Sequence, residues 1–370
     1  MTTLNRQFVA NGWNVKATGR IVAELAFHVS LMLAGIALMV AVDNLWVDLA
    51  AIYLMTMGSL GVATNSHSAA HFSTSNKRWV NWMLAYFGYP VVVGMSATFW
   101  RNKHVVVHHT TPNVDGLDDD IDLLPFFVLN EKDYEESRGL RRFWYKHQWL
   151  LVPFAISFNG FNLQRTGWQY LIGRLRDKED RNALHWFDLG ALLLHWTLWV
   201  FLPMLFFPVS QVLLFYVLRI VLLGYAIFIV FAPAHFPAEA LFLSSGNQDR
   251  REYLKNRDWI LLQCATSTNL KTSWFGNLFC SGTDYQIEHH LFPGISHPYL
   301  PKMAPLVEEW CGQHGYPYRQ LGFGDGFWKS WMAFRRHKEL HADAEVMRAQ
   351  VAPGQRAMIT QAQLAEHELL

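Results

Sequence analysis

Cysteine is scarce: the chain carries only Cys264, Cys280 and Cys311 in 370 residues, with no CxxC spacing. That excludes a disulfide scaffold and a thiolate metal site, and it suits a reducing, cytoplasm-facing compartment. Neither sign of charge is in excess, with 31 Lys and Arg against 30 Asp and Glu, so no basic surface offers itself to nucleic acid. The opening "MTTLNRQFVANGWNVKATGR" lacks the short apolar core and small-residue cleavage site of a leader and reads as mature. No repeat of solenoid period is visible. The longest gaps are in basic residues, with none between Arg20 and Lys77 and only Arg219 between Arg181 and Arg250.

Those gaps are filled with apolar residues, which make up 51% of the chain with 15% aromatic, and the composition is that of a membrane protein. A span needs about 20 mostly apolar residues. The segments 21–42, 46–64, 188–207 and 210–233 qualify and pair as two hairpins with turns at "DNL" and "PVS". Stretches 80–98 and 149–163, interrupted by Gly88 and Pro90 and by Gly160 and Asn162, read as segments lying in or dipping into the interface. The loop between the hairpins is rich in Arg and Lys, so the positive-inside rule places residues 1–20, this loop and everything after 233 in the cytoplasm. The membrane domain is expected over 21–325, and the polar stretch 326–370 reads as an exposed helix and a loose tail.

Histidine is abundant, and eight of the seventeen fall in four places: His67 and His71; His104, His108 and His109; His235; and His289 and His290. The first group follows the second span and His235 follows the fourth, so they emerge at similar depth. His67 and His71, like His104 and His108, are four apart and share a helix face. His109 lies about 100° further round, so its helix could serve two metal ions. Gln286, His289 and His290 share a stripe. One tetrahedral zinc needs about four ligands, so eight imidazoles and an amide argue for two metals. Imidazole without cysteine points best to a non-haem di-iron centre that activates oxygen.

The patterns HxxxH at 67–71, HxxxHH at 104–109 and QxxHH at 286–290 resemble the three histidine boxes of the membrane fatty acid desaturase family. "QIEHHLFPGISHPYLPKMAPLVEEWCGQHGYPY" and "DWILLQCATSTN" are similar to its front-end branch. The resemblance implies an all-α integral membrane fold, with four spans and interfacial helices beneath a helical cytosolic cap that holds the irons. It implies two iron ions bound by the box histidines, with His235 in the place of an additional ligand. Gln286 stands where other members have histidine, as a weak ligand or a neighbour of one. Ser68 occupies the place of the aspartate usual in the first box. No HPGG motif of a fused cytochrome b5 is found, so electrons are expected from a separate donor such as ferredoxin or cytochrome b5.

Around the boxes, one or two of Asp118, Asp119, Asp120 and Asp122 are candidates to accept the free N–H of a box histidine. Asn113, Asn269 and His297 are candidates for the same supporting ring. The remaining histidines read as structural, with His28 and His195 facing the bundle interior. Arg219 is expected to snorkel or to pair with a polar neighbour. The tryptophans at 79, 82, 100, 144, 149, 186 and 196 are expected at the bilayer interface, with some as candidates to line an acyl channel. The expected reaction is O2-dependent desaturation of an acyl chain carried by CoA, a carrier protein or a phospholipid. The competing readings are an acyl hydroxylase on the same centre and a membrane cytochrome or metal carrier.

Overall fold

The computed structural model describes residues 1–255 and 257–348. It is mostly helical, and four helical stretches are long and apolar enough to cross a membrane: Thr18–Ala41 (α2), Leu45–Ala70 (α3), Ala183–Leu205 and Val209–Ala234. They coincide with the segments expected from sequence. Ahead of them lies α1 (Thr2–Ala10). The outward faces of these stretches carry exposed Val22, Phe27, Leu33, Leu194, Phe201 and Leu214, an apolar surface that fits lipid. Asn44 starts α3 by accepting from the Trp46 and Val47 amides at 2.9 and 3.4 Å. A Cβ on Gly61 would lie 2.1 Å from His28 Nδ1, so α2 and α3 approach as closely as they do because position 61 has no side chain. His28 and His195 do face inward, both with no exposed surface.

The stretch from residue 78 is a bent pair. Helix α4 (Arg78–Tyr86) runs on as a π-helix over Phe87–Val93, and α5 (Ala97–Trp100) runs on as a second π-helix over Arg101–His108. The two halves meet at 113°. The other weakly apolar stretch is divided between α8 (Val152–Ile156) and α9 (Asn159–Arg176), which follow α6 (Glu131–Glu136) and α7 (Gly139–His147). The third span begins as α10 (Ala183–Trp196) and the fourth as α11 (Val209–Phe231).

Beyond the fourth span lie α12 (Arg250–Lys255), α13 (Trp259–Ala265), α14 (Trp274–Cys280), α15 (Gln286–Leu291), α16 (Leu300–His314) and α17 (Phe323–Ala333). Leu4 and Phe8 of α1, Leu262 of α13, Ile287 of α15 and Met303 and Val307 of α16 form one core. Asp258 caps α13, accepting from Leu261 N at 3.0 Å, from the Tyr316 hydroxyl at 3.1 Å and from Arg348.

Two expectations are corrected. The fold is not purely helical. Strands β1 (Val114–Asp115), β2 (Phe242–Ser244) and β5 (Leu340–His341) form a parallel sheet in the order β1-β2-β5, and β3 (Asn269–Lys271) pairs with β4 (Gln320–Gly322). These strands are too short to show alternation in a sequence. Nor is the chain after 326 an exposed helix and loose tail as far as residue 348. Ser330 and Ala333 of α17 are buried, and β5 lies in register with β2, Phe242 opposite Leu340. Lys338 is buried too, its Nζ donating to Pro237 O at 3.0 Å and to Ala240 O, over the Phe242 ring. The rest of the expected tail, 349–370, lies outside the described residues.

Candidate metal centre

All eight clustered histidines are buried, and the structure sorts them into two groups. His67, His71, His104, His109 and His289 each offer a ring nitrogen within 4.8 Å of one another. His108, His235 and His290 form the second group on the same criterion. Gln286 belongs with the second, its Nε2 lying 2.8 Å from His235 Nε2 and 3.1 Å from His290 Nε2.

The division differs from what ideal α-helical spacing predicts. His104 and His108 do lie side by side as expected, their rings stacked with centroids 5.2 Å apart, but the helix is π-wound, with His109 N donating to His104 O across five residues at 3.0 Å. The wider turn brings positions four and five apart both near the same side of the helix. His104 and His109 accordingly meet in the first group, Nε2 to Nε2 at 3.2 Å, and His108 turns to the second. The third box divides likewise: Gln286 and His290, four apart on α15, face one group and His289 the other. One helix thus carries members of both histidine groups.

Second nitrogens are held from behind. His108 Nδ1 lies 2.9 Å from Asp118 Oδ2 and 3.3 Å from Asp120 Oδ2, and Lys103 pairs with Asp120 at 2.7 Å. His235 Nδ1 donates to Thr266 O at 3.0 Å, and His290 Nδ1 donates to Gln263 Oε1 at 2.8 Å. With Nδ1 protonated, each Nε2 presents a lone pair to the interior. Asp119 and Asp122 are exposed and touch no histidine. Asn113, at φ +54°, donates from Nδ2 to His235 O, Leu241 O and Thr266 O at 2.9, 3.0 and 3.2 Å, and its N–H donates to Asp118 Oδ2 at 2.8 Å. Asn269 positions α15, accepting from Ile287 N and donating to Glu288 Oε2, both at 2.8 Å. His297 reaches the first box indirectly. Its Nδ1 lies 2.8 Å from Ser68 Oγ and its Nε2 2.7 Å from Glu24 Oε2 of α2.

Sequence reading missed Gln263, which also donates to His109 O at 3.1 Å; its place inside the quoted "DWILLQCATSTN" stretch was the available signal. It also misplaced Trp100. That ring is buried and stacks on His104 with centroids 4.9 Å apart, so it walls the first group and does not sit at an interface.

Electrostatics make most of the cluster a poor home for protons. Burial first, and then neighbouring imidazoles, hold His71, His109, His289 and His290 well below the ordinary histidine range, and His235 falls to about 3. The neutral rings therefore turn lone pairs toward each other, with His67 Nε2 2.6 Å from His104 Nε2. His71 Nε2, His289 Nε2 and Gln286 Oε1 have no hydrogen-bond partner. Buried acceptors facing one another without donors are the arrangement that a cation completes. The residues present therefore fit metal held by imidazole.

The fatty acid desaturase family model matches residues 44–322. The chain belongs to the fatty acid desaturase family. It is 28% identical over 262 residues to human "Fatty acid desaturase 3", covering 70% of this chain and 54% of that protein. It is 25% identical over 330 residues to the "Acyl-lipid (9-3)-desaturase" of Physcomitrium patens, covering 87% and 59%. It is 30% identical over 264 residues to the "Delta(8)-fatty-acid desaturase" of Euglena gracilis, covering 69% and 59%. The chain thus spans a little over half the length of these relatives.

Ion binding to this protein has a simple thermodynamic signature, because a ligand that binds only the folded state raises stability by about 2.7 kcal/mol at a hundred times its dissociation constant. Titrating ferrous iron into metal-stripped protein should raise the melting temperature until both groups are filled. A melting curve that ignores iron would show that the lone pairs do not hold it.

Proposed function

We propose that this chain is an O2-dependent acyl desaturase that introduces a double bond into a lipid acyl chain. The carrying observation is the π-wound helix that sends His104 and His109 to one buried histidine group and His108 to another. Under this reading the ligands are His67, His71, His104, His109 and His289 on one side and His108, His235, His290 and Gln286 on the other. The spans form two hairpins, with the site and both ends of the described chain on the cytoplasmic side beneath a helical cap.

When bound, an iron pair supplies the oxygen chemistry: adjacent methylenes lose two hydrogens, O2 takes these with two electrons and two protons, and the products are an alkene and two waters. The protein's own work is positional. Asp118, the Thr266 carbonyl and Gln263 each hold an imidazole Nδ1 proton, fixing the tautomer and ring plane. Trp100 and Phe231 close apolar walls around His67 and His104 and keep water out. An unactivated C–H bond offers no polar handle, so the site of reaction is chosen by the shape of the space that receives the chain. Electrons come from a separate donor, and the acyl group rides on CoA, a carrier protein or a phospholipid.

The test is expression in a host of known lipid profile, followed by mass spectrometry of its fatty acids. New acids lighter than their precursors by two hydrogens support desaturation. Products heavier by one oxygen would make the protein a hydroxylase, and an unchanged profile in cells that supply electrons would refute both.

A further inference from the structure

The bent pair ends one helix and starts another inside the bundle of spans, at Gly94–Ser96, where no water is at hand for the freed backbone groups. Side chains from the third and fourth spans and from α9 meet them. Gly94 N and Met95 N satisfy Pro90 O and Tyr89 O at 3.1 and 3.0 Å. The three remaining carbonyls each receive a side-chain donor. Val91 O takes Trp199 Nε1 at 2.9 Å and His195 Nδ1 at 3.0 Å, Val92 O takes Arg219 Nη2, and Val93 O takes Gln164 Nε2 at 2.8 Å.

The second half begins on a buried carboxylate. Asp188 Oδ1 accepts from Ala97 N at 3.0 Å, and its Oδ2 accepts from Thr98 N at 2.9 Å and from the Ser96 and Thr98 hydroxyls at 2.6 Å each. Cation thus sits at the carbonyl end and anion at the amide end, the signs each helix dipole favours. Of the two expectations for Arg219, the structure shows pairing with polar neighbours and not snorkelling. It is buried, its guanidinium lies over the Trp199 ring at 3.6 Å, and a second bond runs to Ser59 Oγ at 3.3 Å. Gly94, at φ +81°, must be glycine, since a Cβ there would lie 2.6 Å from Gln164 Nε2 and 2.7 Å from His195 Nε2.

We propose that Arg219 and Asp188, with His195, Trp199 and Gln164, clamp the break between the two halves, and that this clamp is what holds the helix bearing His104, His108 and His109 at the height of the other histidines. Arg219 and Asp188 are positioning residues, since neither touches a box histidine, and their effect on metal binding rests on the ligand reading proposed above. Two opposite charges buried in the spans with no catalytic contact thereby acquire a purpose: they replace water at a deliberate interruption.

The clamp is tested on full-length detergent-solubilised protein by hydrogen exchange and iron binding together. In Arg219→Met and in Asp188→Asn, amide exchange should accelerate over residues 87–109 while 18–41 stays as in the parent, and iron affinity should fall by about tenfold or more. Arg219→Lys, which restores a cationic donor, should recover most of both losses. Parental exchange over 87–109, acceleration spread evenly over all spans, or a lysine variant no better than methionine would each overturn the proposal. Should Arg219→Met fail to accumulate, Asp188→Asn and the milder Gln164→Ala decide on the same criteria. His108→Ala separates the two readings. It should lose iron while exchange over 87–93 stays parental; if it keeps its iron, the ligand reading fails and the clamp is judged on exchange alone.

Discussion

Replacing His289 with alanine is expected to abolish unsaturated product while leaving a folded chain with part of its iron. The ring centroid of His289 lies 4.5 Å from His67, 4.8 Å from His71 and 4.7 Å from His109, in the middle of the five-histidine group, and its Nε2 has no hydrogen-bond partner. Truncation removes a central ligand from one group and leaves His108, His235, His290 and Gln286 in place. Chemistry that needs both ions stops entirely, because a lost metal is not partly compensated by its neighbour. His314→Ala is the control. That ring stacks on Trp310 and bonds its carbonyl at 2.8 Å, away from the centre, so the variant should desaturate as the parent does. Gas chromatography of host fatty acids and an iron assay read both. Product from His289→Ala at parental level would remove His289 from the ligand set.

Asn113→Ala is expected to be the most damaging substitution outside the histidines. Its amide ties the loop after the second box to the carbonyls of His235, Leu241 and Thr266. Buried partners left unmet cost about 1–3 kcal/mol each, and a side chain forced into the left-handed region adds about 1–2 kcal/mol. Because Thr266 O and the backbone retain other bonds, a total of about 3–5 kcal/mol is expected. Asn113→Gly keeps the loss of bonds but relieves the backbone, so it should recover about 1 kcal/mol of the difference. Thermal unfolding of the two variants, with iron content measured in parallel, checks the split; equal melting of alanine variant and parent would contradict it.

The spans and the meeting of the four histidine places were legible because hydropathy and clustering are local properties of a sequence. Asp118, Asp120 and Asn113 could be named because a carboxylate or amide near a box has few other duties, and the structure places all three around His108. What could not be read is the partition of the histidines, since the pattern HxxxHH is compatible with α- or π-winding and only the packed helix chooses. Strands of two or three residues such as β1 and β2 carry no period. Lys338 looked like part of a solvated tail because its partners are backbone carbonyls of residues nearly a hundred positions earlier, and carbonyls leave no trace in residue type. The same is true of Arg219, whose partner at Val92 is a carbonyl freed by a bend.

The π-wound helix over Arg101–His108 has a consequence for spacing. Two neighbouring histidine groups could be registered to each other by loops, in which case their separation would wander as the loops breathe. Here one rigid rod carries members of both, so the gap between the groups is written in a single run of backbone hydrogen bonds. The helix acts as a gauge block. Its length is indifferent to motions of the surrounding segments until the rod itself unwinds, and inserting or deleting one residue between His104 and His108 would rotate one set of rings away from its partners instead of merely stretching the site.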